Sequence, residues 1–275
     1  MTAINNNIGF TMSPGVTHVG TRSIAPSGFN DEYGYWRGHK HRTVIESKFN
    51  QVYLAFEGSG VQAGSPRVWD NQGNYYDLSG GGGAWEKAGN LKSVMNESAI
   101  QERSLFISQK GFIDVGSGVS TAPHLGVYAK LLPSGNITDT VIAAQHKKNP
   151  AQFILGCDGD GKFYIRSDGS VSGKTVDYYA KGVSNFADYD YPVQVVGTYA
   201  SGDGFLKLYV NGNLEGQSNL FTRDLSVNAH TKTLVGKREF PFDERGYTGW
   251  LDELGVGNVS ISESDVKDLY RSTFN

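Results

Sequence analysis

The chain has little that reacts and nothing that spans a membrane. One cysteine, Cys157, stands among 275 residues, so no disulfide can form within the chain and no oxidising compartment is called for. No apolar run approaches the roughly 18 residues of a membrane-spanning helix. Met1 to Asn7 lack both the basic and the apolar stretch of a secretory leader. On that reading the chain is made in a cytoplasm, and the sequons at Asn96, Asn136 and Asn258 are chance matches. Charge is modest too. Its 25 Lys and Arg against 28 Asp and Glu leave a formal net charge of −3, which argues against nucleic-acid binding and against membrane insertion or anionic membrane surfaces. Helical periodicity is scarce.

Turns and strands are plentiful instead. The 36 glycines are nearly twice the usual share of about 7%, and they punctuate short apolar runs rather than forming a repeat. The clearest run is Leu206-Lys207-Leu208-Tyr209-Val210-Asn211-Gly212. Leu206, Leu208 and Val210 share one face of a period-2 pattern, which predicts a half-buried strand. Asn211-Gly212 then supplies the two φ > 0 residues of a type I′ hairpin turn. Further strands are predicted at Ser47–Gly58, Ser104–Val115, Leu125–Leu132, Ala151–Gly156, Lys162–Arg166 (ended by Asp168-Gly169) and Val193–Ala200. One short helix is predicted near the end, capped by Ser262 with Asp265 three residues on, and with Val266, Leu269 and Tyr270 on one face. This spacing indicates an all-β, antiparallel two-sheet sandwich or barrel.

Residues 1–43 differ from the rest: rich in Asn, Gly, Ser and Thr, without sustained periodicity. Such a segment cannot bury enough apolar surface to fold alone. It nonetheless carries Ile4, Ile8, Phe10, Phe29, Tyr33, Tyr35 and Trp36, candidate contacts to the body or to another subunit. The chain is therefore divided into an extended N-terminal arm, 1–43, and a sandwich, 44–275.

Val195-Val196-Gly197-Thr198-Tyr199, the hairpin at Leu206–Gly212, Leu234-Val235-Gly236-Lys237, and the ending Gly249-Trp250-Leu251-Asp252-Glu253-Leu254-Gly255-Val256 followed by Ile261 to Tyr270 stand in one order along the chain. Together these blocks resemble the laminin-G-like and concanavalin A-like jelly-roll domains. Asp70-Asn71-Gln72-Gly73-Asn74 is similar to the family's opening turn. The resemblance covers about Thr43 to Asn275. It implies two curved antiparallel sheets with a closing strand and helix, and it leaves function open, because the fold hosts lectins, glycan hydrolases, adhesion modules and virion proteins.

Catalysis on this fold by the family's hydrolases sets acids at i, i+2 and i+4 on one strand face. No strand here does so, and Asp252-Glu253 are adjacent, hence on opposite faces. No nucleophile triad or phosphate loop stands out either. A non-enzymatic protein is expected, with Asp252 read as the family's structural acid bonding loop backbone. For Ca²⁺, which prefers oxygen ligands, the candidates are Asp70, Asn71, Glu239, Asp243 and Glu244, although Lys237, Arg238 and Arg245 offset that charge. No other cofactor is indicated. Asp158-Gly159-Asp160-Gly161 reads as a hairpin turn, not an EF-hand. Sugar binding needs aromatic platforms with amide or carboxylate partners. The candidates, placed in loops, are Tyr75, Tyr76, Tyr178, Tyr179, Tyr189 and Tyr191, with Asn185 and Asp188.

Two functions follow. One is a structural protein of a larger assembly, such as a virion component in a capsid or tail, anchored to other subunits by its arm, with homo-oligomers compatible. The other is a carbohydrate-binding, lectin-like module using tyrosines, with or without Ca²⁺. The location expected for the first is the virion; for the second, the cytoplasm or the extracellular medium after release.

Overall fold

The computed structural model describes residues 11–13, 16–17, 47–49, 51–54, 67–70, 74–79, 83–87, 103–107, 111–134, 139–145, 151–171, 174–186, 189, 192–223, 231–238 and 246–274. Within the first 43 residues these are two short paired strands, Thr11–Ser13 (β1) and Val16–Thr17 (β2). The remaining strands are Val52–Leu54 (β3), Arg67–Trp69 (β4), Tyr75–Ser79 (β5), Gly83–Lys87 (β6), Arg103–Ile107 (β7), Phe112–Gly116 (β8), Leu125–Pro133 (β9), Thr140–Gln145 (β10), Phe153–Cys157 (β11), Lys162–Val171 (β12), Lys174–Asn185 (β13), Val193–Tyr199 (β14), Leu206–Val210 (β15), Asn213–Gln217 (β16), Thr233–Val235 (β17) and Gly249–Gly257 (β18), followed by helix Glu263–Phe274 (α1).

They form two antiparallel sheets, as the sequence predicts. One runs β13-β12-β11-β10-β17-β8-β5-β4, the other β16-β15-β14-β9-β18-β7-β6, with β3 also paired to β18. Alternate residues of each sheet meet between them. Ile113, Phe153, Leu155, Phe163 and Ile165 come from the first sheet, and Val127, Leu131, Val195, Leu208, Leu251 and Leu254 from the second, all fully buried. Each such side chain stabilises the fold by about 1.5–3 kcal/mol relative to exposure.

A second apolar layer lies on the outer face of the second sheet. There Val266 and Leu269 of α1 pack with Ile261, Phe49, Tyr53, Tyr128, Val196 and Tyr209. The helix starts where the sequence predicts: Ser262 Oγ accepts the Asp265 N–H at 3.1 Å, and the Asp265 carboxylate accepts the Ser262 N–H at 3.1 Å, a reciprocal capping box. The hairpin joining β15 and β16 also forms as expected, with φ of 48° at Asn211 and 81° at Gly212. The Asn211 side chain accepts the Gln194 N–H at 2.9 Å, tying the turn to the neighbouring strand.

Three predicted strands change. Of the described residues in the run expected at Ser47–Gly58, Val52–Leu54 form the strand, while Ser47 and Lys48 are helical. The run 104–115 divides into β7 and β8, which belong to different sheets; the polar Ser108-Gln109-Lys110 separates its two apolar halves. The strand expected to stop at Asp168-Gly169 continues to Val171. Gly169 is paired within the sheet opposite Val176 and makes no turn. A Cβ there would come within 2.7 Å of Phe221 and 2.9 Å of Tyr178, so close packing explains the glycine.

Candidate functional site

The lengthened β12 and β13 create the face of interest. Their register sets Tyr164 opposite Lys181, Arg166 opposite Tyr179 and Asp168 opposite Asp177. Phe163, Ile165 and Ala180, the intervening residues, point into the core. The polar six therefore share the outer face, with opposite Cβ atoms about 4.5–5.5 Å apart.

Arg166 organises this face. Its Nε donates to Asp168 Oδ1 at 2.9 Å, and its Nη2 to Asp168 Oδ2 at 3.3 Å and to Asp177 Oδ1 at 2.8 Å. Asp168 is fully buried and also accepts the Ala151 N–H at 2.6 Å. The Arg166 guanidinium carbon lies 5.8 Å from the Tyr179 ring centre, and the Tyr164 and Tyr179 rings are 5.9 Å apart at 52°. Tyr179 is 46% exposed, and the Asp177 side chain 40%. Burial would lower the pKa of Arg166, but the bond and charge of Asp168 outweigh it and raise it, so the group stays cationic. Asp177 titrates above the ordinary aspartate range: burial raises it, Arg166 pulls it back, and the charge of Asp168 raises it again. Burial pushes the Tyr164 hydroxyl up to about 12 and raises Tyr179 as well. Both tyrosines are thus neutral donors at physiological pH.

Farther along β13, Lys181 bonds Asp158 and lies 3.6 Å from Asp160. Burial would raise the Asp158 carboxyl, but Lys181 and the N–H groups of Lys162 and Asp160 hold it below its usual value. Asp158 Oδ1 accepts both of those N–H groups at 2.9 Å, which makes this segment the hairpin turn that the sequence predicts.

The other sequence-predicted sugar contacts fall elsewhere. Tyr178 adjoins Tyr179 but points inward, stacked on Phe221 with ring centres 4.0 Å apart. Both tyrosines sit in a strand, not a loop, so neighbours in sequence cannot form one platform. Tyr76, also in a strand, packs against the core and donates its hydroxyl to Asp70 Oδ2 at 2.7 Å; burial and Asp70 raise its pKa. Tyr189 packs on the same core. Asn185 Nδ2 donates to the Asp160 carbonyl at 2.8 Å and so braces the hairpin. Asp70, a candidate Ca²⁺ ligand, accepts from Asn74 N at 2.8 Å, Asn74 Nδ2 at 3.0 Å and Tyr76. It ties the end of β4 to the start of β5. Among the described residues, no group of three or more His, Cys, Asp or Glu is arranged to hold a metal ion. Asn71, Asp188, Tyr191, Glu239, Asp243, Glu244 and the arm residues Ile4, Ile8, Phe10, Phe29, Tyr33, Tyr35 and Trp36 lie outside the described residues, as does the side chain of Tyr75.

Asp252, expected to bond loop backbone, instead pairs with Lys130 at 2.7 Å, both groups nearly inaccessible. Its neighbour Glu253 accepts from Tyr53 and Tyr128 beneath α1. Sequence reading missed Arg166, Asp168 and Asp177. Their signal was the period-2 spacing of Tyr164, Arg166 and Asp168, and of Asp177, Tyr179 and Lys181, hidden once the strand was ended at Gly169.

The two-sheet sandwich, its closing strand and its capped helix define a lectin-type β-sandwich. A family model for the concanavalin A-like lectin/glucanases superfamily matches residues 128–267, and the chain belongs to that superfamily. Among solved structures, domain 4 of an extracellular arabinanase from Geobacillus stearothermophilus, in complex with arabinotriose, is similar over 80% of this chain and 97% of that one, with a TM-score of 0.54 and 15% identity. Botulinum neurotoxin type C, which depends on interaction with two ganglioside molecules to enter cells, is similar over 83% of this chain and 53% of its own, with a TM-score of 0.56 and 11% identity. A Trypanosoma rangeli sialidase in complex with the inhibitor DANA is similar over 80% of this chain and 32% of its own, with a TM-score of 0.50 and 13% identity. The chain thus spans about half of the toxin chain and a third of the sialidase. At such identities these likenesses establish the fold. No curated protein sequence matches the chain.

Proposed function

We propose that this chain is a non-catalytic carbohydrate-binding module that takes a sugar on the β12–β13 face. The observation that carries the reading is Tyr179, 46% exposed and braced by Arg166 and Tyr164, with the exposed carboxylate of Asp177 two residues away on the same face. An aromatic ring covers the apolar C–H face of a pyranose or furanose, and a carboxylate accepts its hydroxyl protons. Arg166 acts as a positioning residue, holding both in place. The superfamily supports this reading, and so does the arabinotriose complex of a domain almost wholly matched by this chain. The comparisons lend no such support to a virion role.

Isothermal titration against a panel of oligosaccharides, guided by a glycan array, tests the reading. A panel member should bind with micromolar to millimolar affinity, and Tyr179→Ala should weaken it about tenfold or more, the scale expected for loss of an aromatic anchor. Far-UV circular dichroism would confirm that the variant is folded. Binding that ignores Tyr179, or no binding to any glycan, overturns the proposal.

A further inference from the structure

Resting on that carbohydrate reading, we infer that the β12–β13 face selects neutral oligosaccharides and rejects acidic ones, with Asp177 as the discriminating residue. Arg166, the cation beside the exposed Tyr179, looks at first like a receptor for a sugar carboxylate. Its geometry assigns it otherwise. The Nε and Nη2 edge of its guanidinium, the fork that would grip an incoming carboxylate in bidentate fashion, is already engaged by Asp168 and Asp177 at 2.8–3.3 Å. Asp168 cannot yield its place, being fully buried and bonded to the Ala151 N–H.

The placement of the charges points the same way. Around Tyr179 two carboxylates, Asp168 and Asp177, face one guanidinium. Farther along the strand two more, Asp158 and Asp160, face the single ammonium of Lys181. Arg238, which bears on Tyr164, and Lys162, on the outer side of β12 by its alternation, are further cations. Among the charged groups around Tyr179, Asp177 is the accessible one, its side chain 40% exposed against 11% for Arg166 and 0% for Asp168. An acidic sugar would bring a further negative charge beside the accessible Asp177, whose partner Arg166 already holds two carboxylates on its Nε and Nη2 edge. Hydroxyls of a neutral sugar meet acceptors instead. Exclusion by like charge is the repulsive half of specificity.

The test uses the full chain with defined probes: arabinotriose and galactotriose as neutral trimers, lactose paired with 3′-sialyllactose, and tri-galacturonate. Neutral probes should bind in a Tyr179-dependent way. Tri-galacturonate should bind about tenfold or more weakly than galactotriose, and 3′-sialyllactose weaker than lactose by the same margin. Both gaps should shrink in high salt, since exposed charges are screened within about 8 Å at physiological ionic strength. In Asp177→Asn, which keeps an amide acceptor but removes one charge, both gaps should close by most of that factor. Acidic probes bound as tightly as their neutral counterparts, through Tyr179, would overturn the selectivity and leave the carbohydrate reading intact. Gaps unchanged in Asp177→Asn would overturn the role of Asp177. Loss of Tyr179 dependence for every probe would overturn both.

Discussion

Tyr53 and Glu253 are separated by 200 residues, and the Tyr53 hydroxyl donates to Glu253 Oε1 at 2.6 Å. The Tyr128 hydroxyl donates to the other carboxylate oxygen. The three residues join β3, β9 and β18 on the face that α1 covers. Glu253 and Tyr128 are wholly buried and Tyr53 is nearly so, so this acid shapes the fold and meets no substrate.

Glu253→Ala should therefore destabilise strongly. Hydrogen bonds to a charged group contribute about 1.5–3 kcal/mol each, and two phenolic donors would be left facing a void. A loss of about 3 kcal/mol or more is expected in urea unfolding. Glu253→Gln, which keeps one acceptor, should fall between that variant and the parent.

Lys130 and Asp252 form a second buried pair, 2.7 Å apart. Removing one partner leaves an uncompensated charge, at a cost of about 3–5 kcal/mol. Asp252→Leu should lower the urea midpoint accordingly, and Lys130→Met with Asp252→Leu should restore much of the loss. Equal destabilisation in the single and double variants would mean that the pair does not act as a unit.

Acid should loosen the helix end of the molecule. Burial alone would raise the Asp265 carboxyl, but its bonds to Ser262 and its ion pair with Lys48, 3.2 Å away, hold it below the ordinary aspartate value. A depressed folded-state pKa adds stability that is fully present above the unfolded value, near 3.8, and is lost as pH falls through the folded one. Stability of the parent should therefore drop below about pH 4 more steeply than that of Asp265→Asn. Parallel curves would sink this assignment.

The Cys157 thiol faces the core, and burial raises its pKa well above the normal value, with the charge of Asp158 adding to the effect. Only the thiolate attacks disulfide reagents. The native protein should thus resist a chromogenic thiol reagent at pH 8, with the full single equivalent reacting after denaturation. Rapid native labelling would contradict the packing around β11.

Bonds within a few residues of one another are legible in the sequence. The Ser262–Asp265 cap, the Asn211-Gly212 turn and the Asp158 hairpin each rest on backbone preferences of adjacent residues. Strand existence was readable wherever apolar residues alternated. Gly169 shows where that reading fails: a glycine needed for space against Phe221 and Tyr178 looks in sequence like one needed for a turn.

The sequence by itself determined that this chain builds paired antiparallel sheets closed by a capped helix, because period-2 burial and turn chemistry are local properties. Only the tertiary structure decided which polar residues share a face. Tyr178 and Tyr179 are neighbours in the chain, yet one stacks on Phe221 inside and the other stands outside with Arg166 and Asp177. Register between β12 and β13 sets that division, and register follows from how the whole sandwich packs.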